Sequence, residues 1–123
     1  MGLELYAEQR EEQRVSLMFH AQVLDCTNDK VIGILADISV HGMRVVGERS
    51  IAPGNQVRVR VPIPVETRGC SDIYADCECR WSRRDVSTDS VHNGFRVVSM
   101  DPEQSHALAD IIDEYGITKG LFS

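Results

Sequence analysis

From Val15 onward the side chains of this chain alternate with a period of two. Val15, Leu17, Phe19, Ala21 and Val23 fall on one side of an extended backbone, and Ser16, Met18, His20 and Gln22 on the other. That is the pattern of a half-buried strand. The alternation returns at Val57, Val59, Val61 and Ile63 against Arg58, Arg60 and Pro62. It returns again at Ala75, Cys77, Cys79 and Trp81 against Asp76, Glu78, Arg80 and Ser82, within a strand expected over Tyr74 to Arg83. Apolar runs at Lys30 to Ile38, Met43 to Val46 and Asn93 to Met100 complete six predicted strands. The Lys30 run is the most uniformly apolar and is expected to be central. Pro62 and Pro64 predict an edge or a strand end. Turn signals separate the runs at Cys26 to Asp29 and at Pro53-Gly54, with loops expected over 64–71 and 85–92.

Short strands of this kind bury their apolar faces by closing on one another. The predicted fold is therefore mainly β, a six-stranded antiparallel β-barrel with a C-terminal amphipathic α-helix over its open side. The helix is signalled by Asp101-Pro102-Glu103-Gln104, an N-cap Asp with Pro at the first helical position and Gln placed for a capping box. Leu108, Ile111, Ile112 and Tyr115 share a face, and Gly116 is the expected stop.

A length of 123 residues suits one domain. Residues 1–14 are expected to be a polar N-terminal arm, 15–116 the barrel with its helix, and 117–123 a tail, with no room for a separate output domain. The net charge of −6 argues against DNA or RNA, whose binding rests on many phosphate contacts. An anionic ligand must then be small and met by a local basic cluster. Eleven of the thirteen basic residues are Arg, whose planar fork fits guanine edges and phosphates better than the point charge of Lys. No apolar run approaches the ~18 residues of a membrane span, and residues 1–14 lack the apolar region of a signal peptide. Membrane insertion is not expected, and a cytoplasmic location is.

Two polar stretches stand out. Asp37-x-Ser39-x-x-Gly42 lies between two predicted strands. By itself it is an ordinary turn, with Asp and Ser bonding nearby backbone and Gly allowing tight geometry. Upstream, Arg10-x-x-x-Arg14 sits just before the first strand. Together, in this order and with one hairpin between them, the two stretches resemble the paired signature of the PilZ domain family, bacterial receptors for cyclic di-GMP. The predicted barrel and helix match that family's fold. Trp81 and Gly94-Phe95-Arg96-Val97 extend the resemblance more loosely, over roughly residues 10 to 115.

The resemblance implies that Arg10 and Arg14 contact guanine and phosphate, that Asp37 and Ser39 hold a guanine edge, and that Gly42 lets the backbone turn tightly beside the ligand. The chemistry agrees. An Arg fork pairs with O6 and N7 of guanine, and Asp accepts from its N–H groups. Arg44 is added as a phosphate neighbour, with an outward salt bridge as the alternative. Gln9 stands where many family members carry Arg or an apolar residue, which leaves the number of bound nucleotides open. The arm is expected to be mobile without ligand and to close over it. A second Arg-x-x-x-Arg, Arg80 and Arg84, is assigned to the solvated outer face of a strand.

The expected function is that of a non-enzymatic receptor that binds cyclic di-GMP and relays the signal to a protein effector, with no further cofactor. The alternatives are a PilZ-like protein-interaction module that binds no nucleotide, and a small barrel for single-stranded nucleic acid. The last would want exposed aromatics and a basic groove, and the chain has only seven Phe, Trp and Tyr residues. Cys70, Cys77, Cys79 and His92 offer zinc-type donors, but Cys-x-Cys is not the usual knuckle spacing. Cys77 and Cys79 share a strand face with Trp81 and are expected to be core thiols. No metal and no catalytic residue is expected.

Overall fold

The computed structural model describes residues 14–118. Arg10, and with it the arm expected over residues 1–14 apart from Arg14 itself, lies outside the described residues. The strands are β1 (Val15–Leu17), β2 (Gln22–Asp25), β3 (Val31–Ser39), β4 (Gly42–Gly47), β5 (Gln56–Thr67), β6 (Cys70–Asp85) and β7 (Ser90–Ser99). Helix α1 (Pro102–Tyr115) and β8 (Gly116–Thr118) follow. Every pairing is antiparallel, in the order β2-β5-β6-β7-β4-β3-β1-β8, and an added β2–β3 pairing closes the ring. Six strands thus form the barrel, as the period of two predicts. β1 and β8 run on from its β3 edge as a small strap.

The predicted single strand over Val15 to Val23 is broken. Val15 pairs with Ile38 and Gln22 with Ile34, so this segment spends more residues than β3 between the same two pairings. The surplus bends outward around Met18 to Ala21, where the chain changes partners from β8 to β5. Met18 N–H bonds Tyr115 O and Leu35 N–H bonds Ala21 O, each at 2.9 Å, and these bonds hold the corner. Alternation still marks the faces, with Val15, Ala21 and Val23 buried and Met18 exposed.

β5 does not stop at its prolines but runs through Pro62 and Pro64. Its partner β2 pairs only at Val59 and Arg60, so the prolines lie where that edge asks for no donor. The loop expected over 64–71 is a hairpin instead. Thr67 pairs with Cys70 across Arg68-Gly69, both with positive φ (53° and 76°), as a tight two-residue turn demands.

α1 occupies its predicted span, but the capping box does not form. Asp101 makes no side-chain cap hydrogen bond. Gln104 is drawn to the sheet instead, where its Oε1 accepts from Tyr74 N–H at 2.6 Å and its Nε2 donates to Cys70 Sγ at 3.3 Å. Gly116 stops the helix in extended geometry (φ −79°), and the chain beyond it pairs with β1, which gives part of the expected tail a strand.

Ala107, Leu108 and Ile111 are buried against the barrel, with Ile112 and Tyr115 partly buried beside them. Burying a side chain such as Leu108 or Ile111 is worth about 1.5–3 kcal/mol each. The core they close contains Val23, Ile38, Met43, Val45, Val59, Val61, Ile73, Ala75, Cys77, Cys79 and Phe95. No helix among the described residues is long and apolar enough to cross a membrane.

Candidate functional site

The site is built by register on the outer face of β3, β4, β7 and β6. One row across the strands runs Asp37, Arg44, Gly94, Trp81. The next runs Ser39, Gly42, Arg96, Glu78. Each row contains a glycine, so the sheet carries no side chain at two adjacent places and a hollow results. A cleft of about 450 Å³ lies there, lined by Arg14, Ser39, Gly42, Arg80, Trp81, Gly94 and Arg96, with His41, Phe95 and Val97.

Both glycines are required by close approach. A Cβ at Gly42 would lie 2.5 Å from Phe95 O and 3.3 Å from Arg14 Nη2. A Cβ at Gly94 would run into the indole of Trp81. Trp81 itself is a correction. The bulge between Cys79 and Trp81 adds one residue and reverses the alternation. Cys77 and Cys79 stay in the core, whereas Trp81 turns to the outside and covers Gly94. Arg80, the extra residue of that bulge, is more than half exposed (57%). It borders the cleft and is not merely on a solvated face as expected. Arg84 behaves as expected, exposed and paired with Asp89 at 3.0 Å.

Of the residues singled out in the sequence, Arg14, Ser39 and Gly42 line the cleft. Asp37 lies just behind the lining, 6% exposed, with Arg14 Nη1 3.7 Å from Oδ1 and Arg44 Nε donating to Oδ2 at 2.9 Å. Ser39, also buried, accepts from His41 N–H at 3.1 Å and so fixes the turn into β4. Val97 N–H in turn bonds His41 O at 2.8 Å, tying the turn to β7. Arg44 does not line this cleft. Its side chain bonds Asp37 and, at 2.8 Å, His92 Nδ1, the kind of contact that the salt-bridge alternative describes.

Sequence reasoning assigned no ligand role to Arg80, Arg96 or Trp81. Trp81 and Arg96 fall within the looser part of the family resemblance, which was the available signal. Alternation put Arg80 on the outer face, but nothing in its spacing placed it beside the cleft. Glu78 spaces the two added cations, 3.3 Å from Arg96 and 3.9 Å from Arg80. Arg83 stacks on Trp81, 5.3 Å from the ring centroid. Among the described residues, this surface has three guanidinium groups, one broad aromatic side chain and a glycine floor. It is suited to a planar ring carrying phosphate.

The zinc constellation is not assembled. Among the described residues no group of His, Cys, Asp and Glu is placed to hold a metal. Cys77 and Cys79 are buried in the barrel, whereas His92 sits on its outer wall. Burial pushes the Cys77 thiol up to about 12, a group inert as a ligand or nucleophile near neutrality.

No curated protein matches the chain. Solved structures share its fold, among them the following two. The Bacillus subtilis inhibitor of motility, MotI/DgrA, superposes with a TM-score of 0.64 at 18% identity, over 83% of this chain and 49% of that one. The Borreliella burgdorferi PlzA protein, solved in complex with c-di-GMP, superposes with a TM-score of 0.57 at 8% identity, over 91% of this chain and 55% of that one. The chain thus spans about half the length of either. The family model of the PilZ domain matches residues 8–114, which takes in both polar motifs, the barrel and nearly all of α1. This chain belongs to the PilZ domain family.

Proposed function

We propose that this domain is a receptor for cyclic di-GMP. The observation that carries the reading is the convergence of Arg14, Ser39 and Gly42 on one cleft, with Asp37 held behind it. These residues come from the two motifs that mark the family. The PlzA structure, a member of the same fold with that nucleotide bound, supports the choice of ligand.

In this reading Arg14, Arg80 and Arg96 meet phosphate and the O6/N7 edge of guanine, Trp81 offers a face to a base, and Ser39 accepts or donates at the cleft wall. Arg10 joins from the N-terminal segment. Asp37 serves first by fixing Arg14. It accepts from a guanine N–H edge once the Arg14 fork turns to the ligand. The domain acts as a binding module rather than an enzyme and needs no metal or other cofactor. It meets its nucleotide in a bacterial cytoplasm and passes the signal to a protein effector. That last step is supported by the relative named as an inhibitor of motility.

The test is titration calorimetry with cyclic di-GMP and with cyclic di-AMP. Adenine presents a donor where guanine presents O6, so the expected outcome is micromolar or tighter binding of the first and at least tenfold weaker binding of the second. Absence of binding to both would refute the receptor reading in favour of a protein-interaction module. Equal binding would refute guanine recognition.

A further inference from the structure

Behind the cleft the charged groups form a chain that the motifs do not contain. Arg14 Nη1 lies 3.7 Å from Asp37 Oδ1, and Arg44 Nε donates to Asp37 Oδ2 at 2.9 Å. Arg44 Nη1 lies 2.8 Å from His92 Nδ1, and His92 Nε2 lies 3.9 Å from Asp85 Oδ2. An Arg guanidinium only donates, so Nδ1 is the acceptor and the imidazole proton resides on Nε2, facing Asp85. Hydrogen bonds from Ser87 hold the Asp85 carboxyl below its usual range, which keeps a negative charge at the far end.

Each link fixes the next. Arg44 is planar and gripped at both ends, by Asp37 and by His92, so its guanidinium cannot turn without breaking a bond. That in turn fixes the Asp37 carboxylate, which is buried and faces Arg14. The two halves open on different surfaces. Arg14 lines the first cleft. Arg44 and His92 line a second one of about 670 Å³, with Trp81, Arg83, Arg84 and Asp85. His92 therefore lies outside the lining of the nucleotide cleft yet two hydrogen-bonded groups away from Asp37.

We infer that Arg44 and His92 are positioning residues that set the pose of Arg14 through Asp37, so that ligand affinity in the first cleft is controlled from the second. The inference rests on the reading of the first cleft as the nucleotide site, but its mechanical half is a property of the free protein.

Three substitutions of His92 separate the roles. His92→Asn places an amide oxygen where Nδ1 was and keeps the acceptor. His92→Gln carries its amide oxygen past that point, and His92→Leu removes the acceptor. Nitrogen-detected or proton–nitrogen spectra of the arginine Nε–H groups in free protein should show Arg44 Nε–H slow to exchange in the native chain and in His92→Asn. Its exchange should be at least tenfold faster in His92→Gln and His92→Leu. Unchanged exchange in both of the latter overturns the relay, whether or not any nucleotide binds.

Calorimetry with cyclic di-GMP should then show three- to tenfold weaker binding for His92→Gln and His92→Leu, with affinity restored in His92→Asn and melting temperatures close to native in all three. The decisive arm is a cycle with Arg14→Ala. If His92 acts through Arg14, adding His92→Leu to Arg14→Ala produces no further loss. Full additivity of the two losses would overturn the inference. If the native chain fails to bind the nucleotide while the Arg44 signal responds as stated, the receptor reading falls and the relay stands as a structural device.

Discussion

Replacing Gly94 by Ala tests how the hollow is made. A Cβ there would lie 2.7 Å from Cζ2 of Trp81 and nearer still to Cε2 and Nε1. Unstrained heavy-atom contacts begin near ~3.5 Å, so the indole must retreat by about 1 Å or more. The strand cannot yield instead, because β7 is clamped by β4 on one side and β6 on the other. Overpacking of this kind costs about 1–3 kcal/mol, which for a domain of this size lowers Tm by about 5–15 °C. The displaced ring also spoils the cleft wall. Base-on-aromatic stacking is worth about 1–3 kcal/mol, so affinity for cyclic di-GMP should fall by about five- to one-hundred-and-fifty-fold. Trp81 is the single tryptophan of the chain, so its fluorescence reports the displacement directly, as a shifted emission maximum in the variant. The double variant Gly94→Ala with Trp81→Ala removes the obstruction and should be no less stable than Trp81→Ala alone. Unchanged emission, Tm and affinity in Gly94→Ala would refute the placement of the indole over the glycine and the role given to both.

Further outcomes follow from the geometry. Arg14→Ala should weaken cyclic di-GMP binding at least tenfold, a loss of about 1.4 kcal/mol. It should shift Tm by only about 2 °C or less, because the Arg14–Asp37 pair is partly exposed and Arg44 still faces the carboxylate. Arg80→Ala, measured beside it, should weaken binding by about two- to fivefold, and unaltered binding would return Arg80 to the solvated face its spacing suggested. At pH 8 a thiol reagent should label the half-buried Cys70 but leave Cys77 unmodified until the chain is unfolded, since a thiol at about 12 is almost wholly protonated there. The unfolded chain gives up that proton first, near 9.0, so this thiol's contribution to stability is intact below that value and is lost as pH rises toward about 12. Rapid native-state labelling of Cys77 at pH 8 would contradict its burial.

The barrel, the helix and the two motifs are legible in the order of the residues alone. Period-two alternation is a local property: each strand states which face it buries, and six such faces have few ways to close. The Asp37–Gly42 turn is equally local, since Ser39 bonds the backbone two residues on. What failed in the sequence failed where tertiary partners compete with local preference. Gln104 stands at a capping-box position, yet its side chain goes to Tyr74 and Cys70, because an unpaired strand N–H beside the helix is a stronger claim than the cap. Alternation could not reveal the bulge at Arg80, because one added residue is invisible in a pattern until the partner strand sets the register. That single residue turns Trp81 outward over Gly94, where it lines the cleft beside Arg80. In the same way, nothing in the spacing of Arg44 and His92 announces their contact. They meet because β4 and β7 pair with Arg44 beside Gly94 and Val46 beside His92, and only that pairing lets a histidine from one surface bear on the arginine that faces another.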